Sequence, residues 1–349
     1  MSAGGAVLVI VPCRDEARVI ERKLANLARI EWPRAARKHR IVVVDDHSSD
    51  GTGERARRAG AQRYSDDSRV ETRIVANAGP PGKPHAIRRG LAELEPGFGI
   101  VVLTDADVVV VERALVALVA AFERDAGLAM ACGRQSFVRE LPDDGSTRGL
   151  VDASTAYDRW TARVRGLESR RGALFSVHGQ WLAWRAELAL APDPTLAADD
   201  LDLAFQVRAR AEAPRALRRI DDAVFHEVRP RAGSAAARAQ AVRRARAWFQ
   251  VLAARRPAPR GALESLQWSF YRHAPAMAPR FTLLVPLATT LAAWIGFDRA
   301  FGIAAFFSWL LVFTSGPGWR WVRLMAVISE ARRAERAAAL APSWETPRA

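Results

Sequence analysis

The sequence has little cysteine and little lysine, and both shortages narrow the classes of protein to which it can belong. Cysteine occurs at only two of the 349 positions, Cys13 and Cys132, so the chain has no disulfide framework and suits a reducing compartment. The 52 basic residues give a net charge of +14, but only Lys23, Lys38 and Lys83 are lysines. Because arginine is used broadly in a chain rich in alanine, this charge can reflect coding bias rather than an acidic partner.

Several motifs that would indicate other functions are also missing. The chain has no zinc-finger spacing, RNA-binding signature or basic stripe interleaved with aromatics, so we expect no nucleic-acid partner. No Gly-x-Gly-x-x-Gly follows the first predicted strand, which disfavours a nicotinamide dehydrogenase. The apolar run at 7–11 is too short for a signal peptide and leads directly into a polar motif.

Strand-like and helix-like segments alternate through the first 130 residues. We expect strands at 6–11, 40–44, 70–76, 100–103 and 128–132, and helices at 16–30, 51–59, 84–94 and 112–125. This alternation predicts βαβ units, and therefore an α/β fold with a mostly parallel sheet flanked by helices. The pattern from 134 to about 230 is less regular, with helices expected at 151–165 and 200–211, and a basic helix is expected at 238–256.

Two apolar runs near the end of the chain predict a membrane hairpin. Residues 281–297 and 300–316 are uncharged and are separated by Asp298 and Arg299. Each run is close to the roughly 17 residues needed to cross the hydrocarbon core of a bilayer. Tryptophans lie near the run ends and arginines flank the pair, so both flanks are expected at the cytoplasmic face of the cell membrane. The alternative is a soluble helical hairpin buried against the main domain.

The segment Thr104-Asp105-Ala106-Asp107 directly follows a predicted buried strand. Because side chains alternate along a strand, we expect Asp105 and Asp107 to point to the same face, at the sheet edge where ligands of open α/β sheets bind. Two carboxylates there supply the hard oxygen ligands that a divalent cation shared with a diphosphate requires. The alternative is an Asp-rich turn that caps the following helix.

Polar residues after the first two strands would lie at the same edge. The first strand leads into Pro12-Cys-Arg-Asp-Glu16, whose polar groups could contact a base or ribose. After the second strand, Asp45 could accept hydrogen bonds from a base and Asp46 from a ribose hydroxyl. A helix-capping turn explains Ser48, Ser49 or Asp50 equally well, but it does not explain the paired acids.

Three later segments add candidates for phosphate and proton chemistry. Lys83 lies in a Gly/Pro loop before a predicted helix, where charge and helix dipole could both meet a phosphate. Among Asp199, Asp200 and Asp202, one could be the general base for an acceptor hydroxyl. The arginines and tryptophan of 240–248 could hold a leaving diphosphate and stack on a sugar. Plainer alternatives are a solvated lysine, acids at a helix N-terminus, and a basic face that is solvated or contacts anionic lipid.

Taken in this order, the segments resemble family-2 glycosyltransferases with the nucleotide-diphospho-sugar transferase (GT-A) fold, over roughly residues 6–250. The resemblance implies an inverting enzyme that moves sugar from a UDP-sugar to a lipid-linked or polysaccharide acceptor hydroxyl at the membrane. It implies Mg²⁺ or Mn²⁺ held by Asp107 and Asp105, with Asp200 as the catalytic base. The expected parts are a GT-A domain at 1–250, an interfacial helical linker at 251–280, the hairpin at 281–316 and a basic cytoplasmic tail at 317–349.

The resemblance also implies which residues hold the two substrates. Binding of the nucleotide-sugar is assigned to Pro12, Arg14, Glu16, Asp45, Asp46, Lys83 and Asp105. The acceptor or diphosphate side is assigned to Gly179, Gln180, Asp199, Gln240, Arg243, Arg244 and Trp248. Processive synthases of this family carry Gln-x-x-Arg-Trp, and Arg244 stands where the tryptophan belongs, which disfavours processive synthesis. Alternative functions are a nucleotidyltransferase that makes a nucleotide-sugar and a non-catalytic membrane scaffold.

Overall fold

The computed structural model describes residues 5–35, 37–64, 69–210, 216–229, 235–256, 259, 261–296 and 299–337. The described residues up to 229 form one compact unit, and those from 235 onward form a second. The first unit is an α/β structure and the second consists of helices. Asp298, which was expected at the turn of the hairpin, lies outside the described residues.

An eight-stranded mixed sheet forms the centre of the first unit within the described ranges. Its strands are β1 (Ala6–Cys13), β2 (His39–Asp45), β3 (Val70–Ala76), β4 (Phe98–Thr104), β5 (Val109–Val110), β6 (Met130–Val138), β7 (Trp181–Arg185) and β8 (Leu217–Val228). Their order across the sheet is β3-β2-β1-β4-β7-β6-β8-β5. The first four strands pair in parallel, and so do β6 and β8, whereas β7 and β5 pair antiparallel with their neighbours.

Helices cover both faces of the sheet, which is why its central strands are apolar without interruption. Alternate residues of β1 enter different cores: Val7, Val9 and Val11 pack on one face, and Leu8 and Ile10 on the other. The helices of this unit are α1 (Ile20–Arg29), α2 (Thr52–Tyr64), α3 (Lys83–Leu91), α4 (Ala114–Arg124), α5 (Ala156–Arg170) and α6 (Asp199–Arg210). The predicted α/β class and the parallel part of the sheet are therefore confirmed.

Several predicted boundaries differ from the structure. The helix expected from residue 16 begins at Ile20, because residues 14–19 form a bent loop tied to the next turn of the chain. A short strand, β5, precedes the helix expected from residue 112, which therefore begins at Ala114. Strand β8 was not predicted, because its half-exposed and charged residues interrupt the apolar pattern.

The second unit contains α7 (Ala235–Ala254), α8 (Ala262–Gly296), α9 (Arg299–Thr314) and α10 (Gly316–Ala337). Of the helices described, α8 alone is long and apolar enough by itself to cross a membrane, with a mean hydropathy of 1.3 over its best 18 residues and none of them buried. Helices α9 and α10 are bent by 79° at their junction and supply a second candidate only if the bent pair is one span. Ion pairs join Arg238 to Glu330 at 2.7 Å and Arg246 to Glu335 at 3.3 Å.

These helices change the expected division of residues 251–349. The interfacial linker predicted at 251–280 is divided between the end of α7 and the first half of α8, and α8 continues through Pro275, Pro279 and Pro286. The second apolar run forms the 16-residue α9, which at 1.5 Å per residue is shorter than a bilayer core of about 30 Å. Residues 317–337, predicted as part of a tail, belong to α10.

Candidate active site

The loops after β1 and β2 are joined at the carboxyl edge of the sheet. The backbone N–H of Asp15 donates to Ser48 Oγ at 3.0 Å, and the N–H of Ser49 donates to Asp15 Oδ1 at 2.8 Å. Asp15 has a φ of 54°, a left-handed conformation that lets the chain turn sharply after the strand. Of the predicted residues here, Pro12 is buried on β1, while Arg14 and Glu16 are half-buried in the loop.

The two neighbouring acids at the end of β2 have different environments. Asp45 is half-buried, and its Oδ1 accepts from the Ser48 N–H at 3.2 Å. Asp46 is fully buried, and its oxygens accept from Asn77 Nδ2 at 2.5 Å and from the Gly82 N–H at 2.7 Å. Both Asp46 oxygens thus hold the loop before α3, which differs from the contact with a ribose hydroxyl that the sequence suggested.

Lys83 connects two acidic segments that are far apart in the sequence. It is the first residue of α3, and its Nζ lies 2.8 Å from Asp105 Oδ1, just after β4. The same nitrogen lies 3.8 Å from Asp199 Oδ2, in the first turn of α6. The structure therefore brings the predicted phosphate, metal and acceptor segments together around one ammonium group.

Burial and charge shift the pKa values of this cluster in opposite directions. Burial raises the pKa of Asp199 to about 7, an effect that Lys83 opposes and that Asp200 and Asp105 strengthen. Burial likewise raises the pKa of Asp200 above its ordinary value. Burial alone would lower the pKa of Lys83, but Asp105 and Asp199 outweigh it and raise that pKa. Lys83 therefore stays protonated, whereas the two α6 carboxyls accept protons more readily than ordinary aspartates.

Asp200 is held by backbone donors on both of its oxygens. The Gly179 N–H donates to Oδ2 at 3.2 Å, and the Leu201 N–H donates to Oδ1 at 2.8 Å. A Cβ added at Gly179 would lie only 3.0 Å from Asp200 Cβ, so glycine permits this close approach. The segment with Gly179 and Gln180 thus lies directly against Asp200, and the carboxyl has a fixed orientation suited to accepting a proton.

Asp105 and Asp107 lie in a turn rather than on a strand. Strand β4 ends at Thr104, so side-chain alternation, on which their common direction was predicted, does not apply to them. Both are half-buried, and the described residues contain no group of three His, Cys, Asp or Glu side chains placed to hold a metal. Two carboxylates still fit Mg²⁺ or Mn²⁺ at a site that substrate phosphates and water complete, as such sites commonly are.

Comparison with known proteins bears on this arrangement of strands and acids. The family model described as "Glycosyltransferase like family 2" matches residues 4–249. The chain belongs to this family. This match confirms two predictions from the sequence: the family and the enzyme class, a glycosyltransferase. Comparison with curated proteins gives no match.

A solved structure shows the same fold for this glycosyltransferase. The mannosyltransferase PcManGT from Pyrobaculum calidifontis, in complex with GDP-Man and Mn²⁺, is 23% identical, with a TM-score of 0.67. That match covers 95% of this chain and 87% of the mannosyltransferase, and it confirms the GT-A fold. Glucosyl-3-phosphoglycerate synthase from Mycobacterium tuberculosis, in complex with Mn²⁺, UDP and glucosyl-3-phosphoglycerate, is 21% identical over 66% of this chain and 74% of that one, with a TM-score of 0.42.

Four predicted residues of the glycosyltransferase lie on α7, in the second unit. Gln240, Arg243 and Trp248 are half-buried there, and Arg244 is exposed. The Trp248 ring lies 6.1 Å from that of Tyr271, on α8.

The sequence missed two side chains that support the site. Asn77 bonds Asp46, as described above, and its Oδ1 accepts from the Gly79 N–H at 3.0 Å. Lys23 is fully buried on α1, and burial lowers its pKa to about 7 although Asp105 and Asp107 act in the opposite direction. A signal for Lys23 was present: it lies beside Leu24 on the apolar face of a predicted helix, where an unpartnered lysine would be costly.

Proposed function

We propose that this protein is an inverting glycosyltransferase that moves a sugar from a UDP-sugar to an acceptor hydroxyl. The contact of Lys83 with both Asp105 and Asp199 carries the proposal, because it joins the donor half of the site to the acceptor half. An inverting transfer requires the departing diphosphate and the proton acceptor to lie on opposite sides of one anomeric carbon. Asp200, next to Asp199, is the proton acceptor in this proposal.

On the donor side, the loops after β1 and β2 would hold the nucleotide. Asp45 would accept hydrogen bonds from the uracil, with Pro12, Arg14 and Glu16 lining the same edge, while Asp46 fixes the loop that carries Lys83. Lys83 would bind a phosphate oxygen, which suits an ammonium at a helix N-terminus. Asp107 and Asp105 would hold Mg²⁺ or Mn²⁺, which when bound neutralises charge on the departing diphosphate.

On the acceptor side, Asp200 would remove the proton from the attacking hydroxyl. Its two backbone hydrogen bonds fix the carboxyl, and its raised pKa favours taking up a proton. Attack from the face opposite the diphosphate inverts the anomeric carbon. The roles expected for Gln240, Arg243, Arg244 and Trp248 on the diphosphate or acceptor side stay predictions from the sequence.

The acceptor is proposed to be lipid-linked or a polysaccharide, reached at the cytoplasmic face of the cell membrane. Helix α8 and the bent pair α9–α10 expose many apolar side chains, including Leu283 at 75% and Leu311 at 71%. Arg280, Arg320 and Arg323 flank the apolar runs, as the positive-inside rule requires of cytoplasmic flanks. Two spans would hold the catalytic unit beside an acceptor in the membrane.

The test is nucleotide release by the full-length protein in lipid nanodiscs, with Mg²⁺ or Mn²⁺ and a membrane extract as acceptor source. UDP-sugars are compared with GDP-mannose, because PcManGT was solved with GDP-Man and Mn²⁺. We expect UDP release that depends on metal. Asp200→Asn should lower transfer about 10²- to 10⁴-fold, as for loss of a general base, while keeping metal-dependent UDP binding. Asp107→Asn should weaken that binding.

Asp222→Asn is the matched control, because Asp222 is exposed on β8. Normal transfer by Asp200→Asn would refute the assignment of the base. Pyrophosphate release in place of UDP would indicate a nucleotidyltransferase, and an absence of turnover and of donor hydrolysis would indicate a scaffold. Release of GDP from GDP-mannose, without release of UDP from any UDP-sugar, would support the transfer reaction but show that the donor carries guanine rather than uracil.

A further inference from the structure

Lys23 is a fully buried lysine of α1 whose side chain reaches the segment that carries Asp105 and Asp107. Its Nζ donates to Thr104 Oγ1 at 2.6 Å and to the Val108 carbonyl at 3.1 Å. These two acceptors come immediately before Asp105 and immediately after Asp107. One side-chain nitrogen therefore holds both ends of the turn that carries the two carboxylates.

A second side chain of α1 holds the next part of the same segment. Asn26 accepts from the Val110 N–H at 2.9 Å and donates to the Val110 carbonyl, also at 2.9 Å. Because Lys23 and Asn26 are three residues apart, they lie on the same face of the helix. The turn is thus anchored to α1 by side chains rather than only by its own backbone.

The Thr104 hydroxyl carries this connection across to the acceptor side. It accepts from Lys23 and donates to the Gln180 carbonyl at 2.9 Å. Gln180 follows Gly179, whose N–H donates to Asp200. Hydrogen bonds and the backbone of Gly179 and Gln180 therefore connect Lys23, through Thr104, to the Asp200 carboxylate on α6.

We propose that Lys23 is a positioning residue which, through the Thr104 hydroxyl, holds the Asp105–Asp107 turn in register with the Gly179–Gln180 segment. This inference rests on the proposed function, since it assigns Lys23 to the spacing between the donor-side carboxylates and Asp200. Lys23 itself touches no reacting atom. Groups that orient ligands in this way typically change metal affinity or activity about 10- to 100-fold when removed.

The test measures UDP binding with Mn²⁺ by calorimetry, together with kcat and KM for transfer, in the full-length protein in nanodiscs. Lys23→Met and Thr104→Val should each lower kcat and weaken Mn²⁺-dependent UDP binding by about 10- to 100-fold. Thr104→Ser keeps the hydroxyl and should restore most of both properties. The double variant should lose little more than the worse single variant, because both changes break the same contact.

Lys38→Met is the control, because Lys38 is an exposed lysine. The melting temperatures of Thr104→Val and Thr104→Ser are measured as well, so that a loss of activity caused by unfolding can be distinguished from one caused by loss of the hydroxyl. Wild-type kcat and UDP binding in Lys23→Met would overturn the inference, as would equal losses in the serine and valine variants or fully multiplicative losses in the double variant. If the wild-type protein neither binds nor turns over a nucleotide-sugar, the proposed function itself fails.

Discussion

Replacing Lys83 with methionine tests whether one ammonium holds the acidic cluster together. The variant removes the charge and keeps a long side chain, so it leaves Asp105 and Asp199 without the cation that lies 2.8 Å and 3.8 Å from them. The Lys83 and Asp105 side chains are 23% and 25% exposed, so solvent screens the pair only in part. We expect a less stable protein in the absence of metal.

The size of the loss follows from the distances and from the protonation of Asp199. Unit charges 4 Å apart interact by about 4 kcal/mol at an effective dielectric constant of about 20, and removing one member of a buried pair costs about 3–5 kcal/mol. The pKa of Asp199 is already raised to about 7, so this carboxyl can take up a proton and relieve part of the repulsion. We therefore expect about 3 kcal/mol, which corresponds to a fall of about 6–12 °C in the melting temperature of the first unit.

The assay is thermal unfolding in EDTA and again in Mn²⁺, with Lys38→Met as control. Mn²⁺ should raise the melting temperature of Lys83→Met more than that of the wild type, because in the wild type it competes with the ammonium for Asp105. In Mn²⁺ the variant should still bind UDP more weakly, since the proposed phosphate contact is gone. The reasoning is refuted if Lys83→Met melts at the wild-type temperature in EDTA, or if Mn²⁺ stabilises the two proteins equally.

Two further predictions concern the proton acceptor. The acid limb of the kcat/KM profile should lie above the ordinary aspartate pKa of about 3.9, because burial raises the pKa of Asp200 and only its ionised form can accept a proton. Activity is then lost as the pH falls through the raised pKa. An acid limb at or below the ordinary pKa would contradict this expectation. Gly179→Ala should lower kcat about 10- to 100-fold with little change in UDP binding, because its Cβ would push against Asp200. The control is Gly296→Ala, where an added Cβ meets nothing within 4 Å; equal kcat values in the two variants would count against a fixed carboxyl.

The part of the fold around β1, β2 and β4 could be predicted because apolar runs of this length and composition are typical of buried strands in a parallel sheet. Strands buried on both faces read as continuous β-branched and aliphatic segments, and the polar residues after them must lie at the sheet edge. Strand β8 could not be predicted in the same way, since its buried and exposed positions alternate irregularly around Asp221 and Asp222. The region of helix α8 was divided at residue 280 because the uncharged run begins at residue 281, whereas the helix continues from Ala262 through Arg280 to Gly296.

Within the site, the sequence identified residue types better than it identified their roles. Asp45 and Asp46 are equivalent acids in the sequence, and only the fold shows that Asp46 is enclosed by Asn77 and Gly82. The distances from Lys83 to Asp105 and Asp199 depend on how α3, β4 and α6 are placed, which no local pattern contains. Lys23 was visible as a lysine on an apolar face, but its acceptors come from a segment more than eighty positions along the chain.

The charges of the cluster also bear on the order of substrate binding in the proposed reaction. Asp105, Asp107, Asp199 and Asp200 bring four carboxyls to the site around Lys83, and a nucleotide-sugar would add a negatively charged diphosphate. Such an approach is repulsive unless a divalent cation arrives first or with the donor, since unit charges about 4 Å apart repel by several kcal/mol in a partly buried site. Because its pKa is raised, Asp199 can hold a proton, which lessens this repulsion. A proton, however, neutralises only one charge and does not link carboxylate and phosphate oxygens as a divalent cation can. The dependence on metal that we propose therefore follows from the charge of the site as well as from its resemblance to other glycosyltransferases.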